Sequence, residues 1–380
     1  MKTNLLQKNI PKDWSVKKIK DLLDFEQPTK YIVESSSYTT TGKTAVLTAN
    51  KSFVLGYTNE TDGVYTDTPA IIFDDFTTDS KYVDFPFKVK SSAIKILTNR
   101  DQNTDLKFVY EIMKSFTFPI ANHKRHYISQ YQELDIVIPS IKEQRKIADI
   151  LSAVDDNITK ISEIINATKR LKTSLTHKIF SEYINEKNEK WVRLGDVCVT
   201  SSGGTPLKSK REYYENGTIP WLTSGEVRQG HVSTSKQFIT KQALEDSSAK
   251  VFPRNTILIA MYGATAGQVG LLDFESSTNQ AICGVLPNDK FYPEFLYQFL
   301  LTITKDFVNQ ATGAAQPNIS QAVIRDTFIP VPDLEKQHKI AEIISSIDNK
   351  ILISENLKFK LSELKQGLMA DLLSGKVRTK

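Results

Sequence analysis

The pattern that runs through residues 139 to 181 returns through residues 332 to 374, without a gap, at a constant offset of 193 residues. Ser-Ile-Lys-Glu-Gln-Arg-Lys-Ile-Ala-Asp-Ile-Leu-Ser (140 to 152) answers Asp-Leu-Glu-Lys-Gln-His-Lys-Ile-Ala-Glu-Ile-Ile-Ser (333 to 345), and Leu171, Lys172, Leu175 and Ser181 recur as Leu364, Lys365, Leu368 and Ser374. Each copy reads as a long helix behind roughly 130 to 140 residues of globular sequence, so the chain is constrained to an internal pseudo-two-fold plan rather than one core around one cleft.

Each helix has a start signal. Ile138-Pro139-Ser140 places the first near Ile141, because proline disfavours helix on its left and serine caps free amides, and Val331-Pro332-Asp333 does the same for the second. Apolar residues then recur at alternating spacings of four and three. The first copy gives Ile147, Leu151, Val154, Ile158, Ile161 and Ile165; the second gives Ile340, Ile344, Ile347 and Ile351, then passes through Ser354 to Leu357, Leu361, Leu364, Leu368 and Leu372. That period suits lengthwise helix packing. A stripe of about 35 residues, some 50 Å long, exceeds the usual surface helix, so each copy is expected to pair antiparallel with the other, with the globular blocks at opposite ends of a rod. The expected divisions are 1–137 (first globular domain), 138–185 (first helix), 186–330 (second domain) and 331–380 (second helix). Residues 182 to 190 read as a polar linker and Gly375 as a C-cap.

The blocks between the helices read as α+β. Ala70-Ile71-Ile72-Phe73 and Thr256-Ile257-Leu258-Ile259-Ala260 look like buried strands between glycine and asparagine turns. The blocks also start alike, with Trp14 matching Trp191, and end alike, with Ile128-Ser129-Gln130 matching Ile319-Ser320-Gln321. Hydrophobic content of 40% and charged content of 24% are those of a globular protein. With no long apolar run, the chain is expected to be cytoplasmic, without a membrane partner. Cys198 and Cys283 are too few for a disulfide framework or a metal knuckle and read as buried packing residues. The net charge of +5 is spread along the chain, so contact with nucleic acid would need local clusters of cations.

Catalytic motifs fail on inspection. Gly42-Lys43-Thr44 lacks the upstream glycine of a phosphate loop, since Ser37 stands there, and Gly263, Gly267 and Gly270 do not have the spacing of a dinucleotide turn. No Asn-Pro-Pro-Tyr methylation motif occurs. Asp333 and Glu363-Leu364-Lys365 imitate nuclease carboxylates but lie about 45 Å apart on one helix, and His123, His126 and His177 form no ligand set. No catalytic residue, metal site or cofactor is expected in this chain.

What remains is a set of clusters that mix cations, amides and rings, the combination suited to phosphate contact and base-edge reading. In the first block these are Lys51, Lys81, Tyr82, Lys124, Arg125, His126 and Tyr127; in the second, Thr205, Lys208, Lys210, Arg211, Tyr213 and Arg228, with Gln229 and His231 beside them.

At this point the sequence resembles the specificity subunit of type I restriction–modification systems over essentially its whole length. The resemblance is carried by Leu194-Gly195-Asp196-Val197, Gly203-Gly204-Thr205-Pro206, Ile219-Pro220-Trp221-Leu222, Tyr262-Gly263-Ala264-Thr265-Ala266-Gly267, Thr278-Asn279-Gln280-Ala281, Gln316-Pro317-Asn318-Ile319-Ser320 and the Lys-Gln-x-Lys-Ile-Ala helix start. The first block departs from these, with Thr44-Ala45-Val46-Leu47 in place of Ile-Pro-Trp-Leu, but Ile71-Ile72-Phe73-Asp74-Asp75-Phe76 looks like a variant of the same domain. The resemblance implies two target-recognition domains that each read half of a split, asymmetric site in double-stranded DNA, with the helix pair setting the spacer. It also implies two methyltransferase subunits docked on the helices and carrying S-adenosylmethionine, with restriction subunits joining the full complex. The rival reading is a coiled-coil adaptor that never touches DNA.

Overall fold

The computed structural model describes residues 10–35, 37–49, 52–116, 118, 125–185, 191–309 and 318–379. The chain divides into two compact units, residues 1–163 with 355–380 and residues 164–354. Each unit therefore holds one globular block and a stretch of both long helices, a division that cuts across the linear one expected from sequence.

In the first unit the strands are β1 (Ser15–Lys18), β2 (Leu23–Glu26), β3 (Thr44–Leu47), β4 (Val54–Thr58), β5 (Ala70–Asp74), β6 (Ser80–Val83), β7 (Phe87–Val89), β8 (Ile94–Asn99) and β9 (Asp135–Ile138), with α1 (Ile19–Leu22), α2 (Leu106–Ser115) and the long helix α3, which starts at Ile141 and runs to Asn185. One sheet has the order β2-β8-β5-β6 and another β4-β3-β7, while β1 pairs with β9. Strand β5 explains the layering. All five of its residues are buried, and successive side chains of a strand point to opposite faces. Ile71 and Phe73 accordingly join the core formed with α2 and the long helices, whereas Ala70 and Ile72 join the core against the second sheet.

The second unit repeats this plan with β10 (Trp191–Arg193), α4 (Leu194–Val197), β11 (Thr200–Ser202), β12 (Ile219–Leu222), β13 (His231–Val232), β14 (Phe238–Ile239), α5 (Lys241–Glu245), β15 (Val251–Phe252), β16 (Ile257–Ala260), β17 (Val269–Leu272), β18 (Ser276–Thr278), β19 (Ile282–Val285), α6 (Pro293–Thr302), α7 (Thr304–Asn309), α8 (Gln321–Asp326), β20 (Phe328–Pro330) and the second long helix α9 (Leu334–Leu373). Its sheets are β11-β19-β16-β17-β13 and β14-β12-β18-β15, with β10 on β20. Ile257 and Ile259 of β16 face the helical core, and Leu258 and Ala260 face the other sheet. Thr44-Ala45-Val46-Leu47 and Ile219-Pro220-Trp221-Leu222 hold the same place, each flanked by one parallel and one antiparallel neighbour.

Two sequence matches at the domain ends are corrected. Val16 pairs with Val137, and Trp191 pairs with Pro330, the repeat counterpart of Val137; Trp191 thus corresponds to Val16, not Trp14. The two tryptophans do different work. Trp14 donates its indole N–H to Glu143 at 3.2 Å, and Trp191 packs edge-on against Phe299. Likewise the N–H of His126 bonds to the carbonyl of Asp75 where that of Ile319 bonds to Met261, so His126, not Ile128, is the counterpart of the buried Ile319. Similar letters lay two residues away from equivalent backbone.

The helix starts agree with the sequence. Ser140 Oγ accepts the Glu143 N–H at 3.4 Å and Asp333 Oδ1 that of Lys336 at 2.8 Å, while Gly375, at φ +73°, closes α9 in the left-handed conformation that glycine tolerates. In the first unit Glu143 meets Arg378 and Asp155 meets Lys365, so α3 and α9 run antiparallel there. In the second, Lys172 meets Asp348 at 2.6 Å, and Phe180 shares a core with Ile340, Ala341 and Ile344. The ion pairs Asp155–Lys365 and Asp348–Lys172 are copies of each other at the 193-residue offset.

The seam of α9 departs from expectation. Ile147, Leu151, Ile340 and Ile344 are buried, and Val154, Ile158, Ile161, Ile347, Ile351, Leu361 and Leu368 are half-buried in register. Leu357 and Leu364, however, face outward, at 47% and 52% exposure. The alternation of four and three continues from Ser354 through Lys358, Leu361 and Lys365 to Leu368, all half-buried or buried. Following leucines alone broke the period. Lysine keeps it, because its alkyl stem can bury while its ammonium finds a partner.

Candidate nucleic-acid interface

The expected contact residues fall into three groups. His126 and Tyr127 are inside the first domain, 4% and 0% exposed, with Phe118 on the imidazole and Phe25 and Phe73 on the phenol ring. Tyr213 of the second domain is likewise buried, 3% exposed. These three cannot meet a duplex as placed, which corrects the expectation. A cluster of rings and cations looks the same in sequence whether its rings face water or pack as core. Tyr82 is half-buried, its ring tilted against that of Tyr110 and the Lys107 ammonium 5.7 Å from it, and Lys81 is half-buried beside it on β6. Lys51 and Lys124 lie outside the described residues.

The exposed group is Arg125, Lys208, Lys210, Arg211 and Arg228. In the first domain Arg125 is exposed at the start of a segment that is firmly tethered. Asp75 accepts the Tyr127 N–H with one carboxylate oxygen at 2.8 Å, and its other oxygen faces Lys95 Nζ at 3.3 Å; both side chains are about fully buried. Lys95 also donates to Gln27 at 2.8 Å. A buried acid and base that satisfy each other and a backbone amide fix the segment that carries Arg125. In the sequence Lys95 carries no signal, and Asp75 stands only within the run Ile71-Ile72-Phe73-Asp74-Asp75-Phe76, as the second acid of a doublet after an apolar strand.

In the second domain Lys208 and Arg211 are exposed and, with Tyr214, Glu215 and Gln237, line an open concavity of about 480 Å³. Tyr214 is held by a bond from its hydroxyl to the Pro206 carbonyl at 2.7 Å and by Trp221 against its ring. Lys210 points elsewhere. Its ammonium donates to the Tyr213 hydroxyl at 2.8 Å, which donates to Asp246 at 3.0 Å, and the hydrogen bond to Tyr213 holds its pKa above the ordinary lysine value. Thr205 is half-buried and bonded to Gln280. Arg228 is exposed and donates to the Ala264 carbonyl at 3.2 Å, which joins the loop after β12 to the Gly263–Thr265 turn. The concavity offers a guanidinium, a carboxylate, an amide and a ring edge, the groups that distinguish base edges in a major groove.

His231 belongs to a different system. Its Nε2 lies 3.3 Å from Glu294 and its Nδ1 3.2 Å from Asp273. Hydrogen bonding to Glu294, outweighing burial, raises its pKa to about 9. Glu294 accepts from Gln298 at 2.9 Å, and Gln298 donates also to Asp348 of the long helix at 3.2 Å. The imidazole is held within its own domain, between Asp273 and Glu294, and Gln298 carries the network on to the long helix.

Among known protein families, the model for the type I restriction modification DNA specificity domain matches residues 11–170 and again 186–363. The chain belongs to that family. Relatives of this specificity subunit include the EcoR124I/EcoR124II specificity subunit of Escherichia coli, 35% identical over 86% of this chain and 85% of that one, and the MjaVIII specificity subunit of Methanocaldococcus jannaschii, 25% identical over 98% and 94%. Among solved structures, the S subunit from M. genitalium superposes with a TM-score of 0.69 at 22% identity, covering 98% of this chain and 99% of that one, and so shares the fold. Among the described residues, no helix of the specificity subunit is long and apolar enough to cross a membrane.

Proposed function

We propose that this specificity subunit reads a bipartite, asymmetric DNA site, one domain per half-site, and that its helix pair sets the spacer. The observation that carries the reading is the repetition of one domain topology with different surface chemistry: Arg125 beside the Asp75–Lys95 pair in one unit, the Lys208, Arg211 and Tyr214 concavity in the other. A homodimer would read a palindrome. Two unlike copies in one chain read two unlike sequences. Helix α3 alone, with 45 residues, is about 67 Å long, a length suited to a ruler.

The chemistry, in this reading, belongs to two methyltransferase subunits that carry S-adenosylmethionine and flip the target base, and restriction subunits join them. Support comes from the outward faces of the helices. In the first unit Ile150, Leu357 and Leu364 are exposed, and in the second their counterparts at the 193-residue offset, Ile343, Ile164 and Leu171, are exposed as well. Large apolar side chains left in water at the same repeat positions suit two copies of one partner.

The test is methylome sequencing of cells that express the chain with its methyltransferase. A four-residue insertion after Ile161 adds about 6 Å to α3, under two base pairs of duplex. It should lengthen the spacer and leave the half-site letters unchanged; altered letters would refute the ruler. Absence of salt-dependent duplex binding by the complex would favour the adaptor reading instead.

A further inference from the structure

We infer that Gln144 and Gln337 are positioning residues that lock each recognition domain at a fixed angle on its own long helix, and that they thereby set how strictly spacer length is discriminated. The inference rests on the reading above. Both glutamines are buried, 1% and 0% exposed, at the fourth position of their helices. Gln144 accepts the Asp105 N–H at 2.8 Å and donates to the carbonyls of Asn103 at 3.1 Å and Pro139 at 3.0 Å. Gln337 accepts the Tyr292 N–H at 2.8 Å and donates to the carbonyls of Lys290 at 3.0 Å and Pro332 at 2.9 Å.

These are the same three bonds made twice. Asp105 and Tyr292 are the N-cap residues of α2 and α6, the helices that pack each domain's central sheet. Each glutamine therefore ties the entrance of its domain's own helix to the proline that opens the long helix. A primary amide is the side chain that can accept one backbone N–H and donate to two carbonyls at once. Glutamate cannot donate, and an apolar residue removes the partner of three backbone groups, one of them, the proline carbonyl, in a buried bond. The remaining contacts at these joints differ: the first has Trp14 and Arg378 on Glu143, and the second has His338 stacked on Tyr292 at 3.9 Å. What the two units share is the amide, which points to a demand common to both domains rather than to either local packing.

A domain freed to rock on its helix would still carry its base-reading surface but would reach half-sites one base pair nearer or farther. The experiment uses the full chain assembled with its methyltransferase and measures methylation of duplexes that carry both half-sites at the native spacer and at one base pair more or less. For Gln144→Leu and Gln337→Leu, the preference for the native spacer should fall at least about tenfold, with half-site letters unchanged. Gln144→Glu, which keeps shape and acceptor, should also relax it and serves if the leucine variants do not assemble. Unchanged preference in a variant that assembles overturns the inference, as does loss of half-site fidelity at constant spacer. A wild-type complex that methylates no bipartite site overturns the parent reading itself, a result distinct from either.

Discussion

The polar joint between α2 and the helix pair in the first unit supports a charge-swap experiment whose template the protein carries in its second unit. Glu111, 2% exposed at its side chain, faces Lys114 at 3.0 Å and Lys365 at 3.3 Å, and both lysines reach Asp155. Two acids and two bases leave the joint neutral. Burial would raise the Asp155 pKa, but hydrogen bonds from Lys114 and Lys365 outweigh it and hold that carboxyl below its usual range. At the corresponding places the second unit has Gln298, Leu301, Asp348 and Lys172, one acid and one base, again neutral. Lys114→Leu alone leaves two carboxylates on one ammonium. Breaking a buried pair costs about 3 to 5 kcal/mol, but Lys114 is 26% and Asp155 35% exposed, so screening brings this to about 2 kcal/mol. Glu111→Gln alone leaves two lysines on Asp155 and costs about 1 kcal/mol on the same argument. The double variant reproduces the second unit's solution and should lie within about 1 kcal/mol of the native protein, a coupling of about 2 kcal/mol. Native-state hydrogen exchange of the α2 amides reads this locally. Additive single costs, near 3 kcal/mol in the double variant, would refute the idea that neutrality governs the joint.

Three further outcomes are expected. Because the His231 pKa is raised from 6.5 to about 9, its contribution to stability is fully present below pH 6.5 and is lost as the pH rises through 9; thermal melts from pH 6.5 to 9.5 should show a smaller decline for His231→Gln than for the native chain. Arg211→Ala should reduce methylation at one half-site about tenfold or more, and Lys210→Ala clearly less, since Lys210 is engaged by Tyr213; equal losses measured by single-molecule methylation sequencing would contradict that division. Replacing the exposed Leu171 and Leu364 by Asp should abolish assembly with methyltransferase subunits in size-exclusion chromatography while leaving helicity intact, because neither side chain supports a core.

The sequence by itself determined the repeat, both helix starts, the buried strands and the family, because each of these is written in local order: a proline and a cap, a period, a run of β-branched residues. It also held the glutamine joint in plain view, as the same letter at residues 144 and 337, but not its meaning, since two of its three partners lie 39 to 47 residues upstream in each copy. Only the tertiary structure decided which of two neighbouring residues is inside. It turned His126, Tyr127 and Tyr213 into core and left Arg125 and Arg211 outside; it moved the seam of α9 from Leu357 and Leu364 onto Lys358 and Lys365. The physical reason is common to these cases. Composition states what a side chain is able to do in water or in a core, whereas the direction in which it points is fixed by backbone pairing and by charges met across the fold, as when Asp155 gives Lys365 a reason to turn inward.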